Sequence, residues 1–206
     1  MSLFISPQDF LVKTTADSTT VQNLPAISEV TVDIKSQDNN QEDNSVPEKK
    51  WTFWPVDGQV TDCFGGPRGI DGSFHDGVDF NAAVGTPVKV VETGKVYQTC
   101  SCVIGDRYCC GGYGNNIVVK HSASLYTRYA HLSKLNLKKD DDVKTGEVIG
   151  LSGNTGYSTG PHLHFATYTS EKLYSKGDYS QNPFRFLPSE YKNFKESCPL
   201  DRYGSP

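Results

Sequence analysis

Short apolar runs separated by turn residues fill the chain from Trp51 to residue 170, and this pattern constrains the fold more than any other feature. The runs TPVKVVE, NNIVVKH, LYTRYAHL and EVIGLSG are rich in β-branched and aromatic residues, which favour strands. Turn signals such as Asp57-Gly58 separate them. No segment of this region keeps a helical apolar period over three turns. We therefore predict an all-β domain of short antiparallel strands, a sandwich or a partly closed barrel.

Two segments, GTPVKVVETGKV and DDVKTGEVIGLSG, share an apolar pair, a Thr-Gly turn and a following Lys or Glu with Val. Such strand–turn–strand units recur in barrel-sandwich hybrid folds, which include biotin-carrier domains. A carrier would display its lysine in a Met-Lys-Met turn, but the only methionine is Met1. The repeat therefore indicates a paired hairpin scaffold and not a carrier function.

The first fifty residues differ in composition from the rest of the chain. They hold 8 Asp and Glu against 4 Lys and Arg, which accounts for the whole net charge of −4. Residues 36–50, SQDNNQEDNSVPEKK, contain one apolar residue and cannot bury enough surface to offset the entropy cost of ordering. We predict a largely disordered segment over 1–50, a folded domain over 51–187 and a tail over 188–206.

Charge and hydropathy disfavour two classes of partner. Residues 51–206 carry equal numbers of acidic and basic side chains, so no basic excess favours nucleic acid. No apolar run approaches the roughly 20 residues that span a bilayer. The N-terminal MSLFISPQDFLV also lacks the basic region and sustained apolar core of a secretory signal. The sequence carries no indication of oligomeric state.

Six cysteines bear on the cellular compartment, and four of them fall within TCSCVIGDRYCCGG. An even count favours disulfides and an oxidising location, which is extracellular, periplasmic or at the cell wall. A four-thiolate zinc site is the alternative, but C-x-C and C-C depart from the usual C-x₂₋₄-C spacing. Spacing alone does not fix the connectivity. If the cluster caps a hairpin, the expected pairs are Cys100–Cys110, Cys102–Cys109 and Cys63–Cys198.

Histidines and one aspartate supply candidate metal ligands. In HDGVD, His75 and Asp79 would lie on one face of an extended strand, with Gly77 between them leaving room for an ion. His162 and His164 in PHLHF would also share a face. Three protein ligands plus an open position are typical of catalytic zinc, and this set could supply them. The remaining histidine could then act on bound water, and two hydrogen-bonded sheet histidines are the alternative.

The other two histidines have weaker contexts. His131 would share a strand face with Thr127 and Tyr129. It gains a catalytic role only if that face lines the same groove as the other candidate histidines. We interpret His121, which closes a strand before a turn, as structural or exposed. The chain has no H-E-x-x-H, P-loop or dinucleotide-binding motif.

Four segments together resemble the lysostaphin-type, LytM-like zinc metallopeptidases that cut bacterial peptidoglycan. They are FGGPRGIDGSFHDGVDF, GYGNNIVVKH, YTRYAHLS and GNTGYSTGPHLHF, within a similarity that runs from about Trp51 to residue 187. The resemblance implies a LytM-like core with an open groove and one catalytic zinc ion. By matching the motifs, it implies the metal ligands His75, Asp79 and His164. It likewise implies His131 and His162 as the catalytic histidines.

The resemblance also implies a mechanism. Zinc would activate water, His162 would accept its proton and pass it to the leaving amine, and protonated His131 would help zinc stabilise the oxyanion. The expected function is a zinc endopeptidase acting on stem peptides or cross-bridges of peptidoglycan. The alternative is a non-enzymatic cell-wall binder or a regulator of another hydrolase. The Cys-rich insert at 100–112 departs from the family pattern, and we expect it to form a groove rim or edge.

Overall fold

The computed structural model describes residues 50–66, 73–103, 105–173, 179–188 and Cys198. The predicted disordered segment, apart from Lys50, lies outside the described residues, and so does most of the tail beyond residue 188. Across the described ranges, no helix is long and apolar enough to cross a membrane.

The described part of the chain is built almost entirely from strands. Its only helical elements are 3₁₀ turns at Cys109–Gly112 and Pro183–Arg185. The strands in chain order are β1 (Gln59–Asp62), β2 (Gly77–Asn81), β3 (Pro87–Lys89), β4 (Gly94–Cys100), β5 (Asn116–Ser122), β6 (Leu125–Ala130), β7 (Lys134–Leu135), β8 (Asp142–Val143), β9 (Val148–Leu151), β10 (His162–Tyr168) and β11 (Ser180–Gln181). The prediction of an all-β domain of short antiparallel strands is confirmed.

The strands form two antiparallel sheets. The larger has the order β1-β2-β10-β6-β5-β4-β8, with β11 paired to β10, and the smaller has the order β3-β9-β7. The four apolar runs that predicted strands correspond to β3, β5, β6 and β9. The two hairpin-like segments place one strand in each sheet, because β3 and β9 belong to the small sheet while β4 and β8 belong to the large one.

One hydrophobic core is shared by side chains of both sheets. Val88 from β3 and Ile149 from β9 belong to the same buried cluster as Phe80 and Phe165 of the large sheet. Trp51 adds an aromatic face, since its ring stacks on Phe186 with centroids 5.1 Å apart. Burying apolar area of this kind is the dominant force that holds the two sheets together.

Three disulfides join the six cysteines in the pairing expected for a capped hairpin. They are Cys63–Cys198, Cys100–Cys110 and Cys102–Cys109. The two nested bridges close the insert at 100–112 between β4 and β5, and the third joins Cys198 to Cys63, just after β1. Disulfides of this kind stabilise a small domain chiefly by restricting the unfolded chain.

Candidate metal centre and catalytic groove

The side chains of His75, Asp79 and His164 converge at the centre of the large sheet. His75 Nε2 lies 3.2 Å from Asp79 Oδ1 and 3.1 Å from His164 Nδ1. The third separation, from His164 Nδ1 to Asp79 Oδ1, is 2.9 Å. All three residues are buried. The structure thus brings together the three residues that the sequence predicted as metal ligands.

Strand register explains why these side chains meet. His164 lies directly opposite Asp79 in the antiparallel pair of β10 and β2. Gly77 lies between His75 and Asp79, and a Cβ atom there would come within 2.8 Å of the His164 ring and 2.5 Å of the Phe165 carbonyl oxygen. A glycine is therefore required for β10 to approach closely enough to complete the cluster.

The hydrogen bonds around the two imidazoles orient their donor atoms toward one another. His75 Nδ1 donates to the Cys63 carbonyl oxygen at 2.9 Å, so its Nε2 carries a lone pair. His164 lies between two carboxylates, with Asp76 Oδ1 3.3 Å from its Nε2 and Asp79 Oδ1 2.9 Å from its Nδ1. A cation among the three donors would take the place of a proton on Nδ1 and leave Nε2–H facing Asp76.

The geometry of this trio fits zinc. Ligands bound at about 2.0–2.1 Å around a tetrahedral ion lie about 3.3 Å from one another. The observed separations of 2.9 to 3.2 Å are close to that value. The donor set of two neutral imidazoles and one carboxylate is also one that zinc prefers in catalytic sites.

Two ionised carboxylates adjoin the His164 imidazole. Burial would raise the pKa of Asp79, but the attraction and hydrogen bonds of His75 and His164 outweigh burial and hold it well below its usual range. Burial would lower the pKa of His164, but the two carboxylates of Asp76 and Asp79 raise it. The ionised carboxylates therefore favour binding of a cation between the imidazoles.

His131 and His162 lie beside this trio as a pair. Their ring centroids are 4.6 Å apart, and His162 Nε2 is 3.7 Å from Asp79 Oδ2. His131 Nδ1 donates to the Thr155 carbonyl oxygen at 2.7 Å, and His162 Nδ1 donates to that of Gly160 at 2.8 Å. In both rings the Nε2 atom is therefore the one available to accept a proton.

The position of His131 differs from the sequence prediction. It does not share a strand face with Thr127 and Tyr129, because β6 ends at Ala130 and His131 has a left-handed φ of 59°. This turn of the backbone places the His131 ring beside that of His162. Its hydrogen bond to the Thr155 carbonyl then fixes the ring where a continuing strand would not have placed it.

The protonation state of His131 also differs from the expected one. Burial lowers the pKa of His131 to about 3, and the neighbouring His162 and His164 add to this effect. His131 is therefore neutral at rest near pH 7. It begins as a proton acceptor rather than as the charged donor expected from the sequence.

An open groove of about 450 Å³ adjoins the site, and of the five predicted site residues Asp79 and His162 line it. Its other lining residues include Asp62 and Tyr157 with the loop residues that follow Tyr157. The Cys-rich insert contacts the same wall, since the Arg107 guanidinium lies 4.9 Å from the Tyr157 ring centroid. The insert thus reaches the edge of the groove.

Sequence reasoning missed several polar residues behind the cluster, which are Asp76, Tyr113, Arg128 and Tyr168. Asp76 adjoins His75 in HDGVD, but no spacing rule distinguished it from a surface residue. His121 has the structural role that was interpreted for it, with Nε2 2.8 Å from Thr127 Oγ1 and Nδ1 3.1 Å from the Thr93 carbonyl oxygen.

Comparison with known proteins agrees with this geometry. Residues 73–176 match the model of Peptidase family M23. The chain is 41% identical over 124 residues to glycyl-glycine endopeptidase ALE-1 of Staphylococcus capitis, which covers 60% of this chain and 32% of that protein. It is 45% identical over 91 residues to peptidoglycan DD-endopeptidase ShyA of Vibrio cholerae, covering 44% of this chain and 19% of that protein. The chain thus spans a third or less of the length of these relatives.

Solved structures show the same fold. The catalytic domain of the antimicrobial peptidase lysostaphin from Staphylococcus simulans superposes with a TM-score of 0.53 at 39% identity, covering 62% of this chain and 90% of that domain. The structure of LytU superposes with a TM-score of 0.50 at 31% identity, covering 65% of this chain and 87% of that one. The resemblance drawn from the sequence motifs is confirmed, and the chain belongs to Peptidase family M23.

Proposed function

We propose that this protein is a zinc-dependent endopeptidase that hydrolyses peptide bonds in bacterial peptidoglycan. The observation that carries the proposal is the convergence of His75, Asp79 and His164 beside His131 and His162, with Asp79 and His162 lining an open groove. Relatives named as glycyl-glycine endopeptidase and as peptidoglycan DD-endopeptidase support the substrate class. The three disulfides support action outside the reducing cytosol, at or beyond the cell wall.

The donor trio and the histidine pair have separable roles. A zinc ion held by His75 Nε2, Asp79 Oδ1 and His164 Nδ1 would polarise the scissile carbonyl and lower the pKa of a bound water. His162 is half-buried at the groove, and its Nε2 faces the trio, so it can accept the proton released there. The hydrogen bond to the Gly160 carbonyl keeps the ring oriented while it passes that proton to the leaving amine.

His131 would act from the buried side of the pair. Because it is neutral at rest and its Nδ1–H is bonded to the Thr155 carbonyl, its Nε2 can accept a hydrogen bond from the attacking water or from a substrate N–H and so orient it. The ring centroids of His131 and His162 are 4.6 Å apart, so one bound group could contact both histidines.

The alternative of a non-enzymatic binder is not favoured, because every residue that hydrolysis needs is brought together at one groove. The bond that is cut depends on the groove walls. We infer that the insert at 100–112 contributes to that choice, since it contacts the Tyr157 wall. D,D-cross-links, glycine bridges and L-Ala–D-amino bonds are the candidate bonds.

Digestion of purified peptidoglycan by the full chain tests this function. Walls with glycine bridges and walls with direct cross-links are incubated with the protein, with and without a chelator, and products are identified by mass spectrometry. New peptide termini that disappear with chelator and return with zinc support the proposal and identify the bond. A chain that binds one equivalent of zinc but releases no peptide from any wall overturns it in favour of the binder.

A further inference from the structure

Four side chains form a polar layer directly behind His164, on the side away from the other two donors. We call this layer the Asp76 cluster, and its members are Asp76, Tyr113, Arg128 and Tyr168. Arg128 and Tyr168 are almost completely buried, and the Asp76 side chain retains 18% exposure. No function assigned to the groove uses these residues.

The two carboxylate oxygens of Asp76 have different partners. Oδ1 faces His164 Nε2 at 3.3 Å. Oδ2 accepts hydrogen bonds from the phenol of Tyr168, at 2.6 Å, and from that of Tyr113. Two donors on one oxygen restrict rotation of the carboxylate, so the other oxygen stays directed at the imidazole.

Arg128 supports the two phenols. Its guanidinium carbon lies 3.8 Å from the Tyr113 ring centroid and 5.4 Å from the Tyr168 ring centroid. Cation–π contact of a buried arginine with both rings holds them in place on the side away from the groove. The layer therefore links a buried positive charge, two phenols and a carboxylate to one imidazole.

The tautomer of His164 is what this layer can control. Nδ1 lies among the donors, 2.9 Å from Asp79 Oδ1 and 3.1 Å from His75 Nε2. Only the tautomer with its proton on Nε2 offers a lone pair to a metal at Nδ1. While no metal is bound, Asp76 favours a proton on Nε2 and Asp79 favours one on Nδ1. Metal binding at Nδ1 requires that only the Nε2 proton remains, and the Asp76 carboxylate favours that form, whereas a hydrogen-bond donor in its place would oppose it.

We propose that Asp76 is a positioning residue that keeps the His164 proton on Nε2 and so presents Nδ1 to zinc, while Tyr113 and Tyr168 hold the Asp76 carboxylate in place. This inference rests on the zinc site proposed above. It predicts a specific failure for Asp76→Asn. The phenols donate hydrogen bonds, so the amide oxygen stays with them and the amide NH₂ faces His164, where it favours the wrong tautomer.

Zinc affinity of the full chain, measured by competition with a chelator of known affinity, is the first test. We expect Asp76→Asn to bind zinc about 10–100-fold more weakly than the unmodified chain. Tyr168→Phe, which removes one donor to Asp76, should weaken zinc binding by a smaller factor. The matched control is Tyr129→Phe, because Tyr129 is a buried phenol bonded to the Val91 N–H and Thr127, remote from Asp76. Its zinc affinity should not change.

The Nε2 proton itself is the second test, and it is observed in zinc-loaded protein without any measurement of activity. The ¹H resonance of His164 Nε2–H should lie downfield, as expected for a proton bonded to a carboxylate, in the unmodified chain, and it should move upfield or exchange faster with solvent in Asp76→Asn. A folded Asp76→Asn variant with unchanged zinc affinity and unchanged shifts overturns the inference. If Asp76→Asn does not fold, equal zinc affinities of Tyr168→Phe and Tyr129→Phe overturn it.

Failure of the zinc site itself would look different. An unmodified chain that binds no zinc contradicts the proposed function. An unmodified chain that binds zinc and an Asp76→Asn variant that binds it equally well contradict only the role of Asp76.

Discussion

The donor trio and the histidine pair are neighbours, but they are held in different ways. Asp79 and His164 lie opposite each other in the paired strands β2 and β10, and His75 lies just before β2. His131 and His162 lie at strand ends, and backbone carbonyls of the loop at 153–160 orient their rings. The proposed metal site therefore depends mainly on strand pairing, whereas the proposed proton transfer depends also on one loop. Changes in each region should therefore have separable consequences.

Substitution of His162 should separate loss of activity from loss of zinc, and its effect on rate is the largest that we expect. We expect His162→Ala to lower the rate of peptide-bond hydrolysis by about 10²–10⁴-fold, because general acid–base catalysis contributes that much. One equivalent of zinc should remain bound, since His162 is not among the three donors. Metal content by mass spectrometry and hydrolysis rates of the full chain measure both.

Two control variants complete this experiment. His164→Ala should lose zinc and all activity together, and His121→Ala should keep both, because His121 contacts Thr93 and Thr127 far from the trio. Loss of zinc in His162→Ala would contradict the separation of the two regions.

The second effect tests whether the loop at 153–160 fixes the positions of the His131 and His162 rings. Gly156 has a φ of 73°, and a Cβ atom there would lie 2.3 Å from the Gly114 nitrogen and 2.5 Å from the Gly112 carbonyl oxygen. Gly156→Ala should displace the loop, and a shift of about 1 Å in catalytic groups can cost up to 10²-fold in rate. We expect the rate to fall by about 10–100-fold with zinc binding intact.

Gly160→Ala is the matched control for this change. A Cβ atom at Gly160 would meet no atom within 4 Å, and its carbonyl oxygen still accepts from His162. Equal rates for the two variants would show that the loop does not position the pair.

A third effect concerns stability rather than rate. Burial lowers the pKa of folded His131 to about 3, whereas an unfolded histidine titrates near 6.5. Between these values the unfolded chain binds the extra proton, so this group makes stability fall as pH falls from about 6.5 toward 3. Its contribution approaches about 1.4 kcal/mol per pH unit within that window.

Urea unfolding of zinc-free protein at pH 4.5, 5.5 and 6.5 measures this dependence. The unmodified chain should lose stability more steeply with falling pH than His131→Gln, whose side chain does not titrate. Aspartates with lowered pKa values contribute below about pH 4, outside this comparison. Parallel slopes for the two proteins would show that His131 is not held neutral by burial.

The sequence predicted most of the sheet region and little of what surrounds it. Strand composition is a local property, so β3, β5, β6 and β9 were predicted from their apolar runs, and the full donor set came from the motifs shared with the family. The left-handed turn at His131 did not, because a non-glycine residue takes a positive φ only when tertiary hydrogen bonds favour it. Asp76 was missed for a related reason, since its partners Tyr113 and Tyr168 lie on other elements and only pairing brings them near.

The smallest expected effect concerns the Cys-rich insert, which touches the loop region and not the donor trio. Tyr108 is 80% exposed and its ring stacks on Tyr157 with centroids 6.4 Å apart, at the edge of the groove. Aromatic pairs contribute about 0.5–1.5 kcal/mol, which corresponds to about a 2–10-fold change in affinity. We expect Tyr108→Ala to raise KM by that factor and to leave kcat nearly unchanged.

Val103→Ala is the matched control for Tyr108→Ala, because Val103 lies in the same insert with the same 80% exposure and forms no ring contact with Tyr157. Its KM should stay at the level of the unmodified chain. A fall in kcat without a change in KM for Tyr108→Ala would mean that the insert acts through the loop that positions His131 and His162. The insert would then belong to the proton-transfer region, and the choice of substrate would have to be sought in the opposite wall, beside Asp62.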